Sequence, residues 1–170
     1  VAGALLENAA GSGEASGVDS AELPLSLASV LERGGKAAAR GAVVALRGEL
    51  ATGKTCLVSG MAGHFAEADY VHSPTFTLVN QYGQDPALLH VDLYRLGGPD
   101  EVADLGYAEL FDSEDVCVVE WAERAETLLP DVRLDIYLEL AGRDLRRLTF
   151  HNRRLLGEGW QERLKRAAGD

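Results

Sequence analysis

The sequence predicts an α/β fold in three layers, with a mainly parallel sheet and antiparallel strands near the C-terminus. Three observations lead there. Short apolar runs over residues 42–46, 88–92 and 116–120 read as buried strands. Helical patterning fills the stretches between them, which places helices on both faces of one sheet. Residues 133–140 and 146–151 alternate apolar with polar side chains, the pattern of half-exposed antiparallel strands.

Each element follows from local chemistry. Residues 1–20 are Gly, Ala, Ser and Glu with little periodicity, so a mobile tail is expected there and a single domain over 21–170. Leu27, Val30 and Leu31 share a helical face and Ala37 to Ala39 favour helix, although Gly34-Gly35 weakens or splits it. After the first buried run, residues 55–68 have the length of an ordinary helix. Residues 71–76 form a Pro-containing loop, 77–82 are strand-like, and Gln84-Asp85-Pro86 makes a turn. Pro99 stands at the start of a helical stretch reaching residue 111. A charged helix is expected over 157–168, and there is no internal repeat.

The bulk properties set limits. A chain of 170 residues, 46% hydrophobic and 25% charged, fits one domain with a real core. No run of about 18 apolar residues exists to span a membrane. No basic segment followed by an apolar stretch marks a secretory signal. The two cysteines, Cys56 and Cys117, each lie in an apolar segment, which predicts reduced, buried thiols in a cytoplasmic protein rather than a disulfide. There is no CxxC or His/Cys cluster for zinc. A net charge of −11 argues against autonomous binding to a nucleic-acid backbone. The phosphates of a single nucleotide are different, because backbone N–H groups hold them without net positive charge.

The sharpest local signal is Gly48-Glu49-Leu50-Ala51-Thr52-Gly53-Lys54-Thr55, which matches the P-loop spacing. It follows a buried strand and opens a helix, as the motif requires, and makes the fold P-loop NTPase-like. Amides from Gly48 through Cys56 surround the space where nucleotide phosphates sit on a helix N-terminus. Gly53 permits close backbone approach, Lys54 adds positive charge near the β- and γ-phosphates, and Thr55 offers a hydroxyl to magnesium. The expected ligands are therefore ATP or ADP with Mg2+. Ala51 stands where many such loops carry Gly; a positive φ there would cost roughly 1 kcal/mol.

Asp92 and Glu120 each end a buried run and so fall at the carboxyl edge of the sheet, where open α/β folds bind ligands. One can hold magnesium, and the other can orient the attacking water or touch the metal too. The alternative is that each merely ends its strand in solvent. Trp121 follows Glu120, suited either to stacking on a base or to plain packing. Thr75, between the P-loop helix and the next strand, is a candidate switch threonine that senses the γ-phosphate; the alternative is a simple Pro-containing turn.

Four segments together resemble one family: the phosphate loop, Ser73-Pro74-Thr75-Phe76-Thr77-Leu78-Val79-Asn80, His90-Val91-Asp92-Leu93-Tyr94-Arg95-Leu96, and Val119-Glu120-Trp121-Ala122-Glu123-Arg124. In this order and spacing, from about Leu23 to about Phe150, the chain is similar to the TsaE (formerly YjeE) family, bacterial ATPases of the pathway that makes N6-threonylcarbamoyladenosine in tRNA. The resemblance implies magnesium ligands at Thr55 and Glu120, a Walker B-like acid at Asp92, a switch loop containing Thr75, and Trp121 against the base. It implies action with the TsaB–TsaD complex, which performs the transfer to tRNA, so that tRNA is met only indirectly. ATP hydrolysis would reset that complex. The chain departs from the family at Ala51-Thr52, where Gly-Ala is usual, and this bears on nucleotide affinity.

Two other functions compete. A small-molecule kinase also uses a P-loop but needs arginines on a lid; the dense cluster here, Arg143, Arg146, Arg147, Arg153 and Arg154, falls late in strand-like sequence. A passive nucleotide-binding regulatory module would bind ATP and leave it intact.

Overall fold

A computed structural model of the chain describes residues 4–8, 16–18, 27–28, 41–66, 74, 77–143 and 145–167. Its strands are β1 (Ala4–Asn8), β2 (Ser16–Val18), β3 (Val43–Arg47), β4 (Val79–Tyr82), β5 (Leu88–Asp92), β6 (Val116–Glu120), β7 (Arg133–Leu140) and β8 (Arg146–Arg153). The helices are α1 (Lys54–Phe65), α2 (Pro99–Asp104) and α3 (Trp160–Ala167), with 3-10 turns at Tyr107–Asp112 and Ala122–Ala125.

The strands form one sheet in the order β2-β1-β8-β7-β3-β6-β5-β4. The central four, β5, β6, β3 and β7, run parallel, while β4 and β8 flank them antiparallel. Parallel strands are buried on both faces, which explains the continuous apolar runs of β3, β5 and β6. Val44, Leu46, Val118, Leu134 and Ile136 pack one face against Leu57, Val58 and Met61 of α1 and Trp160 and Leu164 of α3. Val43, Ala45, Val91 and Val119 pack the other face against Val102 of α2, Phe111 and Leu129. Alternate residues of each strand thus feed two cores, giving the expected three layers. No helix among the described residues is long and apolar enough to cross a membrane.

Register decides where chemistry can occur. Leu46 of β3 pairs with Glu120, and Glu120 pairs with Asp92. The end of β3 and both strand-end acids therefore share one row at the carboxyl edge.

Several expectations are corrected. Within the stretch expected as tail, residues 4–8 and 16–18 are described, as strands, and the rest lies outside the described residues; β1 lies parallel on β8 from Ala4 opposite Arg146 to Asn8 opposite Phe150, so β8 has a partner on each side. The helix expected to reach residue 111 stops at Asp104, because Gly106 turns left-handed at φ 73° and a 3-10 segment follows. The α1 helix ends at Phe65 rather than 68. Cys56 is exposed, since α1 buries Lys54, Leu57, Val58, Met61 and Ala62 and turns Cys56 away; Cys117 is buried, and both are free thiols. Of the helix expected around Leu27, only residues 27–28 are described, as helix, and Val30, Leu31 and Ala37 to Ala39 lie outside the described residues.

One buried polar group needs its own account. Asp135 on β7 is fully buried. Arg47, Arg133 and Arg153 all donate to it, and Glu126 in turn pairs with both Arg47 and Arg133. Burial alone would raise its pKa, but the arginine hydrogen bonds, led by Arg153, win and hold it below the ordinary carboxylate value.

Candidate phosphate-binding site

The loop between β3 and α1 is built from unusual backbone. Gly48 has φ 142°, Ala51 φ 64° and Gly53 φ 101°. A Cβ on Gly48 would stand 2.3 Å from the Leu138 carbonyl oxygen, so only glycine lets the loop leave β3 against β7. Ala51 does occupy the left-handed region, the strain anticipated where relatives of such loops use Gly.

Lys54, the first residue of α1, is buried and folds back along the loop. Its Nζ donates to the Gly48 carbonyl at 2.6 Å and the Glu49 carbonyl at 2.9 Å. Burial lowers its pKa, against the opposing pull of Glu120, Glu123, Asp92 and Glu49. A largely desolvated ammonium surrounded by carboxylates and carbonyls is prepared for a stronger anion.

Thr55, Asp92 and Glu120 converge on the same space. Thr55 Oγ1 donates to Glu120 Oε2 at 3.0 Å. Asp92 and Glu120 are both buried, and Asp92 Oδ1 accepts the Tyr94 amide at 2.9 Å. Leu50, Gly53, Lys54, Thr55, Asp92 and Glu120 border a cleft of about 420 Å³. A hydroxyl and two carboxylates are hard oxygen donors, which suit magnesium. Among the described residues no three His, Cys, Asp or Glu side chains are arranged to hold a metal alone.

Trp121 separates this cleft from a second one of about 630 Å³, bordered by Arg47, Thr52, Glu123, Tyr137 and Leu140. The indole lies over Lys54, with Nζ 4.0 Å from the ring centroid, and packs on Tyr94 at 5.0 Å. Its backbone is left-handed, φ 58°, unusual for so bulky a residue. Such strain gathers at functional sites. Of the expected site residues, the structure brings together Gly48 through Thr55, Asp92, Glu120 and Trp121. Cys56 is at the loop's helical end, and Thr75 lies outside the described residues.

Three neighbours were not anticipated. His90, fully buried, places Nε2 2.8 Å from Glu120 Oε1, where it donates to the carboxylate and orients it. Its position two residues before Asp92, on the same strand face, was the available signal. Tyr94 caps Trp121. Leu78, left-handed at φ 66°, accepts the Asp92 amide through its carbonyl at 3.0 Å. No sequence pattern announces a left-handed leucine.

Comparison with known proteins gives the family. The family model described as "Threonylcarbamoyl adenosine biosynthesis protein TsaE" matches residues 23–148. The chain is 42% identical over 111 residues to the tRNA threonylcarbamoyladenosine biosynthesis protein TsaE of Bacillus subtilis (strain 168), covering 65% of this chain and 69% of that protein. It is 38% identical over 115 residues to the protein of the same name from Treponema pallidum (strain Nichols), covering 68% and 85%. The crystal structure of Bacillus subtilis YdiB superposes with a TM-score of 0.57 at 30% identity, over 85% of this chain and 88% of that one. With the family model and the relatives in agreement, the chain belongs to the TsaE family of tRNA threonylcarbamoyladenosine biosynthesis.

Proposed function

We propose that this chain is a magnesium-dependent ATPase, splitting ATP and water into ADP and phosphate, that serves the TsaB–TsaD complex during threonylcarbamoylation of tRNA. The observation that carries the reading is the meeting of Lys54, Thr55, Asp92 and Glu120 at the mouth of a left-handed loop that opens α1.

In this reading, loop and helix amides hold the phosphates, and Lys54 turns its ammonium from the Gly48 and Glu49 carbonyls toward them. Thr55 and Glu120 would hold magnesium with Asp92 beside them, and magnesium held there would supply positive charge next to the phosphates. His90 fixes the Glu120 carboxylate so that it does not swing away. Trp121 and Tyr94 wall the site and keep bulk water from Lys54. Trp121 can reach the base from its place between the clefts, and Thr75 would be the switch threonine that senses the γ-phosphate.

The arginines weigh against a kinase. Arg153 is committed to Asp135, and Arg146 to backbone carbonyls, rather than both being held on a lid. The chain's net charge of −11 supports contact with tRNA through partners instead of directly. The test is steady-state phosphate release from magnesium-ATP, with TsaB–TsaD added over a saturating range. Slow release that rises with the complex is expected. Unchanged release would remove the partner from the proposal, and no release under any condition would leave a passive module.

A further inference from the structure

Arg146 begins β8, yet its Nε donates to the carbonyl of Thr52, in the middle of the phosphate loop, at 3.1 Å. Its Nη1 donates to the Leu145 carbonyl at 3.1 Å, so the guanidinium is held at two points. This is a contact across 94 residues of sequence, from the arginine cluster to the P-loop.

The loop needs such an external hold. Thr52 sits between two left-handed residues, Ala51 at φ 64° and Gly53 at φ 101°. Its other bonds are internal: Thr52 Oγ1 donates to the Glu49 carbonyl at 2.9 Å, and Lys54 donates to Gly48 and Glu49. These tighten the loop without tying its middle to the sheet. A trans peptide sets its C=O and N–H in opposite directions. A bond that draws the Thr52 carbonyl toward β8 therefore turns the Gly53 N–H the other way. Thr52 borders the second cleft, beside Leu138 and Leu140 of β7, whereas Gly53 borders the first, with Lys54 and Thr55. The Gly53 amide thus faces the phosphate side.

We infer that Arg146 is a positioning residue for the phosphate loop, holding the Thr52–Gly53 peptide with its N–H turned toward the diphosphate of a bound nucleotide. The inference rests on the nucleotide-binding reading above and adds a residue of β8 to that site. Arg146 acts through the loop backbone and not on the nucleotide.

The experiment is an ADP titration of the full chain, followed by calorimetry and by 15N–1H spectra, on wild type, Lys54→Ala, Arg146→Ala and Arg146→Lys. Arg146→Ala should weaken ADP about tenfold, the scale of losing one charge-assisted hydrogen bond. It should also remove most of the ADP-induced shift of the Gly53 amide, while its melting temperature stays close to wild type. Arg146→Lys, which keeps a charged donor, should recover part of both. Wild-type affinity and an unchanged Gly53 shift in Arg146→Ala would overturn the inference while Lys54→Ala still upheld the site. Loss of affinity that merely follows a large fall in melting temperature, unrelieved by lysine, would overturn it too. If wild type and Lys54→Ala both fail to bind ADP, the nucleotide reading falls and takes the inference with it.

Discussion

Two clusters of buried charge lie within a few residues of the end of β3, and they are wired differently. Around Asp135, each acceptor is filled by side chains: Oδ1 takes Arg47 and Arg133, and Oδ2 takes Arg153, while Glu126 closes the set by bridging Arg47 and Arg133. Around Lys54, the cation is satisfied by backbone carbonyls, and the nearby Glu120 by a neutral threonine and a histidine. The first cluster is closed on itself and ties the turn after Trp121 to β7. The second keeps opposite charges in one cleft without an ion pair between Lys54 and Glu120, so a phosphate or a cation can enter and reorganise it. Buried charges that neutralise one another hold a fold together, and buried charges held apart are available for chemistry.

Breaking the closed cluster should produce the largest effect on stability. Asp135→Asn leaves three arginines around a neutral group and should cost about 3–5 kcal/mol, measured by denaturant unfolding, with ADP affinity nearly unchanged. Because the folded Asp135 pKa is depressed, its contribution is present above the unfolded carboxylate range, roughly pH 4, and is lost as pH falls through the lower folded value. The acid-side loss of stability should therefore be shallower in Asp135→Asn than in wild type.

Breaking the open cluster should separate binding from turnover. Glu120→Gln keeps the shape and should bind ADP within a few-fold of wild type, while ATP hydrolysis falls by about 10²-fold, the scale of one transition-state group. Equal rates in mutant and wild type would make Glu120 a strand-end acid with no part in the reaction.

A smaller effect sharpens the contrast within the loop. Ala51→Gly relieves a left-handed alanine worth about 1 kcal/mol and should tighten ADP by a few-fold. Weaker binding by the glycine variant would mean that the stiffness of Ala51 helps the loop more than its strain hurts.

Much of this architecture was legible because it rests on short-range rules. β6 and β7 run over the residues that apolar continuity and alternation mark, and the P-loop lies between a strand and a helix as its spacing demands. The strand-end position of Asp92 and Glu120 was enough to place both acids at the carboxyl edge, where register sets them side by side. The rest depends on long-range pairing. The strands at 4–8 and 16–18 carry no apolar alternation strong enough to stand out, and β1 pairs with a β8 that is distant in sequence. The Asp135 cluster joins residues from three parts of the chain, and Arg146 meets Thr52 only because β8 lies beside β7. His90 reads as one more residue of a buried strand; its register partner is Val118, and only its side chain reaches diagonally to Glu120.

The central claim is that the cluster around Lys54 receives nucleotide phosphates, and calorimetric titration of magnesium-ADP into wild type and Lys54→Ala tests it most directly. Wild type should bind, and removal of a buried, charge-assisted donor should weaken binding by about 10- to 100-fold without unfolding the chain. Equal affinity in the two proteins would contradict the account, because nucleotide would then bind elsewhere and the open cluster would be only another piece of structure.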